Sequence, residues 1–346
     1  MNVAFFSTHL FEKEFFTANS ASRNHEIMFF EMSLNQQSAL LAKGFECVCC
    51  FVDDQLDEKT IKTLKEVGVR FIALRSAGFN NVDLEAADKF GILVARVPAY
   101  SPHAVAEYVV GLLLSLNRKI HKAYARVRDL NFSLDGLIGF DLVGKTVGVI
   151  GTGHIGAIFA NIMNGFGCHV IAYDPKPNRN LSDKKTVTYV SLEELYKRSD
   201  IISLHLPLVP ETKHIINSIA LSQMKPGLIL LNAGRGALID TVALIEALKS
   251  GHLGGAGLDV YEEEERLFFK DLSNQVLKDD IFARLLTFPN VLVTAHQAFL
   301  TQEALTEIAA TTFKNISDFE SGIKSTNQVH AKTHLFTTNQ VKKIGA

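Results

Sequence analysis

The sequence predicts an α/β protein built from two doubly wound parallel-sheet domains with a cleft between them. Short apolar runs alternate with helical patterns, as expected for parallel strands joined by crossover helices. A glycine-rich turn of the kind found in nucleotide-binding domains lies near the middle of the chain. At 346 residues the chain is also longer than one hydrophobic core usually supports, which favours two domains.

The first part of the chain contains four predicted strands. They read VAFFST, CVCCFV, VRFIALRS and ILVARVP, and an amphipathic helix, DEKTIKTLKEVG, lies between the second and the third. Cys47 and Cys50 form a nominal C-x-x-C pair in the second strand. Residues three apart on a strand point to opposite faces, and no second cysteine pair or histidine pair accompanies them. We therefore expect buried core cysteines and no metal site.

A longer helical pattern follows, AVAEYVVGLLLSLNRKIHKAYARVRD, which predicts one continuous helix of roughly 25 residues. Its start is apolar on more than one side, so we expect it to be buried between domains or between subunits. The next strand-like runs are KTVGVIG, CHVIAYD, VTYV, DIISLHLP, LILLNAG, GGAGLDV and VLVTAH. Six or seven strands of this kind match a doubly wound nucleotide-binding domain. An amphipathic helix, QEALTEIAATTFKNISDFESG, and a polar tail, KTHLFTTNQVKKIGA, follow.

Composition excludes several classes of protein. The 35 Lys and Arg residues nearly balance the 37 Asp and Glu residues, and no basic run stands out, so a nucleic-acid partner is not expected. The longest aliphatic block, VVGLLLSL, is far shorter than the ~20 residues that a membrane-spanning helix needs. The first residues read as a strand rather than as a charged signal leader. These features predict a cytoplasmic protein with no membrane partner.

The glycine-rich turn is Gly151-x-Gly153-x-x-Gly156, with a predicted strand before it and a helical pattern after it. In this context Gly151 permits the tight turn, Gly153 lets the backbone approach a pyrophosphate, and Gly156 allows close packing of helix on strand. The start of the helix offers free N–H groups and the positive end of its dipole to the phosphates. The segment therefore predicts a dinucleotide site.

Asp174 ends the next predicted strand, eighteen positions after Gly156. An acid at this place accepts the ribose hydroxyls of the adenosine half and repels a 2′-phosphate, which favours NAD over NADP. Lys176 and Arg179 lie just downstream and keep NADP open as an alternative.

Three polar residues follow strands of the second series. Arg235 follows LILLNAG, Glu264 follows GLDVYEE, and His296 follows VLVTA. Because ligands bind at the carboxyl ends of the strands in an open parallel sheet, these groups should gather around a nicotinamide. A guanidinium matches a carboxylate, a histidinium can protonate a carbonyl oxygen, and a neighbouring carboxylate favours the charged imidazole. Together they predict the reduction of a small 2-keto acid.

Each of these residues also has a structural alternative. Arg235 could form a buried ion pair, and His296 could be a hydrogen-bonded core histidine. Glu264 lies within EEEE at 262–265, which on composition alone is a solvated acidic turn. Only the convergence of three strand ends favours the catalytic interpretation.

Taken together, the motifs resemble the D-2-hydroxyacid dehydrogenase family, and most closely its bacterial fermentative D-lactate dehydrogenases. The resemblance covers nearly the whole chain. The matching segments, in order, are SAGFNNVD (76–83), RVPAYSPHAVAEY (96–108), GTGHIG (151–156), NAGRGALID (232–240), GLDVYEEE (257–264) and HQAFLT (296–301).

The resemblance implies a Rossmann-type NAD-binding domain at residues 100–299 and a flavodoxin-like substrate domain at residues 1–99 plus 300–346. It implies NADH-dependent reduction of pyruvate to D-lactate by a homodimer, or an oligomer based on that dimer, built largely by the cofactor domains. The tail after about residue 330 looks like an extra segment relative to this pattern.

The resemblance also assigns roles to individual residues. It selects Glu264, rather than Glu262, Glu263 or Glu265, as the partner of His296, and it makes Arg235 the substrate anchor. For the substrate it implies the backbone amides near Ala77 and Gly78, together with Tyr100, and Phe299 against the substrate methyl group. For the cofactor it implies Gly151, Gly153, His154, Ile155, Gly156, Asp174, Leu206, Pro207, Thr212, Ala233 and Asp259.

Other functions remain open at this point. One alternative keeps the chemistry but changes the substrate to hydroxypyruvate, glyoxylate or a longer 2-keto acid. Another is a corepressor-like NAD sensor, which lacks support because no peptide-docking extension or low-complexity tail is evident. Glu264 argues against formate dehydrogenases, which share the scaffold but pair the histidine with glutamine.

Overall fold

The computed structural model describes residues 1–22, 25–183 and 186–331, and the chain divides into two compact units. The first unit is Met1–Ser101 together with the described residues from Leu300 onward, and the second is Pro102–Phe299. The tail KTHLFTTNQVKKIGA, which the sequence sets apart, lies outside the described residues.

The secondary structure alternates between strands and helices along both units. The strands are β1 (Asn2–Phe5), β2 (Glu26–Phe29), β3 (Cys47–Cys50), β4 (Phe71–Leu74), β5 (Leu93–Ala95), β6 (Thr146–Ile150), β7 (His169–Tyr173), β8 (Thr188–Tyr189), β9 (Ile201–Leu204), β10 (Leu228–Asn232), β11 (Leu253–Leu258), β12 (Val291–Val293) and β13 (Gln328–Val329). The helices are α1 (Leu10–Ser22), α2 (Glu58–Glu66), α3 (Leu84–Phe90), α4 (Pro102–Arg118), α5 (Ile120–Arg128), α6 (His154–Gly165), α7 (Arg179–Asp183), α8 (Leu192–Arg198), α9 (Ser218–Gln223), α10 (Thr241–Lys249), α11 (Asp280–Leu286) and α12 (Gln302–Glu320). Short 3₁₀ helices cover Ser38–Ala42, Gly236–Leu238 and Glu264–Arg266.

The first unit has a six-stranded sheet in the order β13-β5-β4-β3-β1-β2. All pairs are parallel except the edge strand β13, which runs antiparallel to β5. The inner order 2-1-3-4-5 is that of flavodoxin-like folds, which confirms the predicted class. The four strands expected from the sequence are β1, β3, β4 and β5. The short edge strands β2 and β13 were not predicted.

The core of the first unit accounts for its crowded cysteines. Cys47, Cys49 and Cys50 lie on β3, are completely buried and form no disulfide. Burial raises the pKa of the Cys49 thiol to about 12, so this side chain stays protonated and unreactive at neutral pH. Within the described residues no cluster of histidine, cysteine or carboxylate side chains could hold a metal ion. Cys47 and Cys50 are therefore buried core cysteines, as predicted.

The second unit has a seven-stranded, fully parallel sheet in the order β12-β11-β10-β9-β6-β7-β8. All seven strands expected from the sequence are present. From β6 the chain adds strands β7 and β8 on one side and then β9 to β12 on the other, so the strand order reverses between β6 and β9. In doubly wound proteins nucleotides bind in the crevice at this point. Apolar clusters cover both faces of the sheet, so the strands are buried on both sides.

The prediction of one continuous helix over residues 104–129 is wrong. The chain instead forms α4 and α5, separated by Lys119 in the left-handed conformation with φ 51°. At this point the side chain of Asn117 accepts a hydrogen bond from the N–H of Phe140 and donates one to its carbonyl. Because these bonds involve a segment more than twenty residues away, the local pattern gives no sign of the break. No helix in the described part of the chain is long and apolar enough to cross a membrane.

Candidate active site

The glycine loop follows β6, and its three glycines meet different surroundings. A Cβ at Gly151, where φ is +94°, would lie 2.5 Å from the carbonyl oxygen of His205. A Cβ at Gly156 would lie 2.0 Å from the carbonyl oxygen of Gly151. A Cβ at Gly153 would meet no atom within 4 Å, so this residue borders open space. The loop is therefore tightly packed on its inner side and accessible on its outer side.

Helix α6 starts at His154, and its capping residue Gly153 provides no side-chain hydrogen bond to the first turn. The N–H groups of that turn therefore face the open side of the loop without a side-chain cap. Backbone donors at a helix N-terminus beside an uncrowded glycine form a cradle that fits a pyrophosphate. These features fit a dinucleotide such as NAD.

Asp174 lies immediately after β7 and is hydrogen-bonded to the glycine loop. Its Oδ2 accepts the N–H of Thr152 at 2.6 Å and the hydroxyl of Thr152 at 3.0 Å, while its Oδ1 accepts the N–H of Lys176 at 2.8 Å. A carboxylate has about four acceptor positions, so capacity remains for ribose hydroxyls. The acid is thus fixed beside the phosphate cradle, where an adenosine ribose fits.

His205 closes the inner side of the glycine loop, a position that the sequence analysis did not foresee. Its Nε2 lies 2.9 Å from the hydroxyl of Ser203, and its ring packs near Phe159. Burial lowers the pKa of His205 to about 3, so the imidazole is neutral at physiological pH. It supports the loop without adding charge to it.

The other residues expected to line the cofactor lie at the carboxyl ends of strands or at the start of α6. The hydroxyl of Thr212 accepts the N–H of Val209 at 2.9 Å and donates to the carbonyl of Pro207 at 2.7 Å, which fixes the turn after β9. Roles at the cofactor stay predictions for His154, Ile155, Leu206, Pro207, Thr212 and Ala233.

Three neighbouring strands bring together the loops that carry Arg235, Glu264 and His296. The last residues of these strands are in register: Asn232 pairs with Leu258, and Leu258 pairs with Val293. The pairing continues beyond the strands, where the N–H of Asp259 donates to the carbonyl of Asn232 at 2.9 Å. The three loops therefore leave the same edge of the sheet, as the sequence predicted.

His296 and Glu264 form a direct pair. The Nδ1 atom of His296 lies 2.6 Å from Oε1 of Glu264, and both side chains are less than one-fifth exposed. The other carboxylate oxygen of Glu264 accepts the N–H of Tyr261 at 3.0 Å. The carboxylate places a proton on Nδ1, so Nε2 is the imidazole atom left for chemistry with a ligand.

Asp259 holds the loop that carries His296. The carboxylate of Asp259 accepts hydrogen bonds from the hydroxyl of Thr294 at 2.6 Å and from the N–H groups of Gln297 and Ala298 at 3.0 and 2.8 Å. Its carbonyl accepts the N–H of His296 at 2.7 Å. These bonds maintain His296 in the left-handed conformation, with φ 52°, which is uncommon for a non-glycine residue.

This carboxylate is completely buried, and burial raises the pKa of Asp259. A role of Asp259 at the cofactor stays a prediction. The support of His296 is an additional role, which no local sequence pattern indicates because its partners lie about 35 residues away.

The Arg235 loop packs directly against the Glu264 loop. The side chain of Asn232 accepts the N–H of Gly234 at 3.0 Å and donates to the carbonyl of Arg235 at 2.9 Å, which fixes the turn. A Cβ at Gly236 would lie only 2.0 Å from the carbonyl carbon of Tyr261. The glycine after Arg235 therefore allows the two loops to meet.

The guanidinium of Arg235 is half-buried and donates to the carbonyl of Gly234 at 2.7 Å. It forms no ion pair with any acid within the described ranges, so the buried ion pair left open by the sequence is not seen there. Among the four consecutive glutamates, Glu262 pairs with His214 at 2.6 Å, and Glu263 and Glu265 are exposed. Geometry thus separates Glu264 from its neighbours.

A further residue beside the imidazole was missed. The ring of Phe269 lies 5.9 Å from the ring of His296, and Phe269 also has a positive φ of 63°. Its segment, RLFF, carries no motif that marks it as part of a site. The residue expected to contact the substrate methyl group, Phe299, is half-buried in the same unit.

The remaining predicted substrate residues lie in the first unit. Ala77 and Gly78 follow β4 and are half-buried, as is Tyr100. The carbonyl of Ala77 accepts a hydrogen bond from Nη1 of Arg96 at 2.7 Å, and the carbonyl of Gly78 accepts one from the hydroxyl of Ser76 at 2.8 Å. The peptide groups of this loop are therefore fixed.

Comparison with known proteins places these features in a family. The family described as D-isomer specific 2-hydroxyacid dehydrogenase, NAD binding domain, matches residues 110–298. The chain is 53% identical over 322 residues to 2-hydroxyacid dehydrogenase homolog 1 of Schizosaccharomyces pombe, covering 93% of this chain and 97% of that protein. It is 50% identical over 329 residues to D-lactate dehydrogenase of Escherichia coli, covering 95% of this chain and 100% of that protein.

Solved structures agree with the sequence comparison. The apo-structure of D-lactate dehydrogenase from Escherichia coli has a TM-score of 0.87 at 47% identity and covers 95% of this chain and 100% of that one. A structure of the pyruvate reductase of Chlamydomonas reinhardtii has a TM-score of 0.89 at 44% identity and covers 94% of this chain and 98% of that one. The chain therefore belongs to the D-isomer-specific 2-hydroxyacid dehydrogenase family and is an NAD-dependent D-2-hydroxyacid dehydrogenase.

Proposed function

We propose that this enzyme reduces pyruvate to D-lactate with NADH. The observation that carries the proposal is the 2.6 Å pair between His296 Nδ1 and Glu264 Oε1, which leaves Nε2 to serve as a proton donor. Two relatives support the choice of substrate, since one is named D-lactate dehydrogenase and the other pyruvate reductase.

In this proposal the charged groups of the second unit act on the keto acid. The guanidinium of Arg235, which has no acidic partner among the described residues, binds the substrate through its oxygen atoms. His296 donates the proton from Nε2 to the carbonyl oxygen, while Glu264 stabilises the imidazolium and keeps its ring in place. Phe299 contacts the methyl group of pyruvate. In the first unit, the amides of Ala77 and Gly78, together with Tyr100, bind the substrate.

The cofactor is held by the residues around the glycine loop. The backbone at Gly151, Gly153 and Gly156 and the first turn of α6 receive the pyrophosphate, and Asp174 accepts the ribose hydroxyls. Bound NADH supplies the hydride to the carbonyl carbon. The turn at Leu206–Pro207 and the residues Thr212, Ala233 and Asp259 line the rest of the cofactor.

The test is a panel of 2-keto acids assayed with NADH, with the chirality of each product determined. We expect the highest kcat/KM for pyruvate among pyruvate, hydroxypyruvate, glyoxylate and longer 2-keto acids, and D-lactate as its product. A higher kcat/KM for another acid would change the substrate but keep the chemistry. NADH binding without turnover of any acid would instead favour a sensor, and L-lactate as product would contradict the proposal.

We also propose that two copies of the chain associate through the segment 118–143 of the second unit. This segment exposes a run of large apolar side chains: Ile120, Tyr124, Val127, Leu130, Phe132, Leu134, Ile138 and Val143. A concentration of exposed large apolar side chains in one segment is typical of a protein interface. Basic residues dominate α5, whereas Asp129, Asp135 and Asp141 follow it. A two-fold axis could pair opposite charges of the two copies, which supports a second copy as the occupant.

A further inference from the structure

Arg96 lies directly after β5 in the first unit, and its side chain contacts the loop that follows β4. The two strands are paired, with Ala73 opposite Ala95, so the residues that follow them are neighbours. Nη1 of Arg96 donates a hydrogen bond to the carbonyl of Ala77 at 2.7 Å. The guanidinium also lies over the ring of Phe79, 5.2 Å from its centroid. The side chain is thus held against this loop from one side.

Among the residues that the structure describes, the charge of Arg96 has no acidic counterpart. Its guanidinium is half-buried, and no Asp or Glu within the described ranges forms an ion pair with it. Burial lowers the pKa of Arg96, and no nearby acid opposes that effect. Arg75 in the same unit shows the usual arrangement, because its buried guanidinium makes two 2.9 Å bonds to the carboxylate of Glu12. Arg96 therefore presents an uncompensated positive charge behind the Ala77–Gly78 loop.

The hydrogen bond from Arg96 also fixes the direction of one peptide group. In a trans peptide the C=O and the following N–H point in opposite directions. Because Arg96 holds the carbonyl of Ala77, the N–H of Gly78 faces away from the guanidinium. The hydroxyl of Ser76 holds the next carbonyl, that of Gly78, at 2.8 Å. In the described part of the chain, the N–H groups of Ala77 and Gly78 donate to no protein acceptor.

We propose that Arg96 is a positioning residue for the carboxylate of the substrate. It orients the Gly78 N–H toward that carboxylate and places a positive charge on the opposite side of the same peptide group. A charge-assisted bond to the carbonyl polarises the peptide, which makes the N–H a stronger donor. The inference rests on the proposed function, because it takes the Ala77–Gly78 amides as part of the site for a 2-keto acid.

The effect of Arg96 is exerted on binding rather than on the chemical step. Arg96 contacts a backbone carbonyl and does not reach the atoms that react. Its interaction with the carboxylate is equally strong in the ground state and in the transition state, because the carboxylate keeps its charge during reduction. A residue of this kind alters KM for the keto acid and leaves kcat nearly unchanged.

The experiment compares Arg96→Met, Arg96→Lys and the control Arg70→Met with the wild-type enzyme. Methionine removes the charge and the donors but keeps an unbranched apolar chain, whereas lysine keeps a charge and one donor in reach. Arg70 is an exposed arginine of the same unit, paired with Glu46. For each protein we would measure kcat and KM for pyruvate, KM for NADH, and kcat/KM for pyruvamide, in which a neutral amide replaces the carboxylate.

We expect Arg96→Met to raise KM for pyruvate by about tenfold. This is the size of effect expected when a charged group and its hydrogen bond to the Ala77 carbonyl no longer support the binding of the carboxylate. The kcat and the KM for NADH stay within about twofold, and the preference for pyruvate over pyruvamide falls by about tenfold. Arg96→Lys gives intermediate values, and Arg70→Met behaves as the wild type. A KM for pyruvate within twofold of wild type in Arg96→Met, or an equal loss with pyruvate and pyruvamide, would overturn the inference.

A binding measurement separates this inference from the proposed function. Titration calorimetry with oxamate, an unreactive analogue that retains the carboxylate, is performed on the NADH-loaded wild type and variants. If the wild type does not turn over pyruvate, the proposed function fails, while weaker oxamate binding by Arg96→Met still supports the role of Arg96. Equal oxamate affinity in both proteins overturns that role whatever the substrate. If Arg96→Met does not fold, Arg96→Lys is used instead. A higher KM for pyruvate and weaker oxamate binding than in the wild type support the role of Arg96, and equal values overturn it.

Discussion

The imidazole of His296 is held by two carboxylates with different tasks. Glu264 contacts the ring directly at Nδ1, whereas Asp259 binds the backbone and side chains of the residues around His296. Asp259 is completely buried, while Glu264 keeps about one-fifth of its side chain exposed. The ring of His296 and the backbone around it are therefore held by separate carboxylates, and each can be tested alone.

Replacement of Glu264 by glutamine tests the paired acid. Glutamine keeps the shape and can still accept from Nδ1, but it has no charge to stabilise the imidazolium. We expect kcat for pyruvate reduction to fall by about 10²-fold, within the range that positioned acid catalysis contributes. Steady-state kinetics of Glu264→Gln would be compared with Glu265→Gln, an exposed acid one residue away. Similar kcat values for the two variants would exclude the special role of Glu264.

Replacement of Arg235 by lysine tests the substrate anchor. Lysine keeps the charge but loses the planar pair of donors that matches a carboxylate or carbonyl group. We expect KM for pyruvate to rise by about tenfold or more, with KM for NADH nearly unchanged. Initial rates at varied pyruvate and NADH concentrations measure both constants. An unaltered KM for pyruvate would remove Arg235 from the substrate site.

Replacement of Asp174 by alanine tests the ribose contact. Without the carboxylate, a 2′-phosphate is no longer repelled, so the preference for NADH over NADPH should narrow by about tenfold. The ratio of kcat/KM for the two cofactors measures the change. Asp174→Asn is the matched control for the bonds to Thr152, since an amide oxygen still accepts from this residue. Unchanged ratios in both variants would contradict the role of Asp174.

At this scale the sequence alone predicts which residue types converge, but it does not distinguish four consecutive glutamates. Their local composition is identical, and only the resemblance to a family selected Glu264. In the structure their side chains point to different partners, since Glu262 pairs with His214 and Glu264 pairs with His296. The role of Asp259 at the His296 loop depends likewise on contacts between distant segments, which no local pattern contains.

At the scale of elements, the site depends on how closely two loops approach each other. Arg235 and Glu264 follow the adjacent strands β10 and β11, whose last residues are paired. Gly236 lies against the backbone of Tyr261, and the N–H of Tyr261 in turn binds Glu264. The position of the Glu264 side chain therefore depends on the close contact of the two loops at Gly236.

Replacement of Gly236 by alanine tests this contact. The new Cβ would lie 2.0 Å from the carbonyl carbon of Tyr261, so the loops must separate. We expect a loss of about 1–3 kcal/mol in the free energy of unfolding and of about 10²-fold in kcat/KM for pyruvate. Urea unfolding and steady-state kinetics measure the two effects.

Gly165→Ala is the control for this substitution, because a Cβ at the end of α6 meets no atom within 4 Å. We expect it to raise stability by about 0.5–1 kcal/mol and to leave activity unchanged. Full activity of Gly236→Ala would show that the two loops tolerate separation.

How well the sequence predicted each helix or strand depends on how that element is packed. The strands of the second unit are buried on both faces and form clear apolar runs, so the sequence predicted all seven. The edge strands β2 and β13 of the first unit were missed because they are short, four and two residues, and do not alternate apolar with polar residues over a useful length. The break between α4 and α5 was missed because the bonds between Asn117 and Phe140 come from a distant loop. The local sequence pattern therefore predicts elements that are defined by burial. It does not predict boundaries that are set by single hydrogen bonds between distant residues.

At the scale of the whole molecule, the exposed apolar surface is unevenly distributed. Among the described residues, the longest run of exposed large apolar side chains lies in the second unit, between Ile120 and Val143. Within it, Leu134 and Ile138 are 79% and 85% exposed. Helix α5 has no buried residue of its own. This exposed apolar surface is the basis of the proposed association of two copies.

The double substitution Leu134→Asp with Ile138→Asp tests the proposed dimer. An isologous interface contains every substituted residue twice, so four carboxylates would be brought into an apolar contact. We expect light scattering after size exclusion to give twice the mass of one chain for the wild type and the mass of one chain for the double variant. Ile323→Asp, at an exposed apolar residue of the first unit, is the control and should remain dimeric. A dimeric double variant would show that the copies associate elsewhere, and a monomeric wild type would show that the apolar segment has another partner.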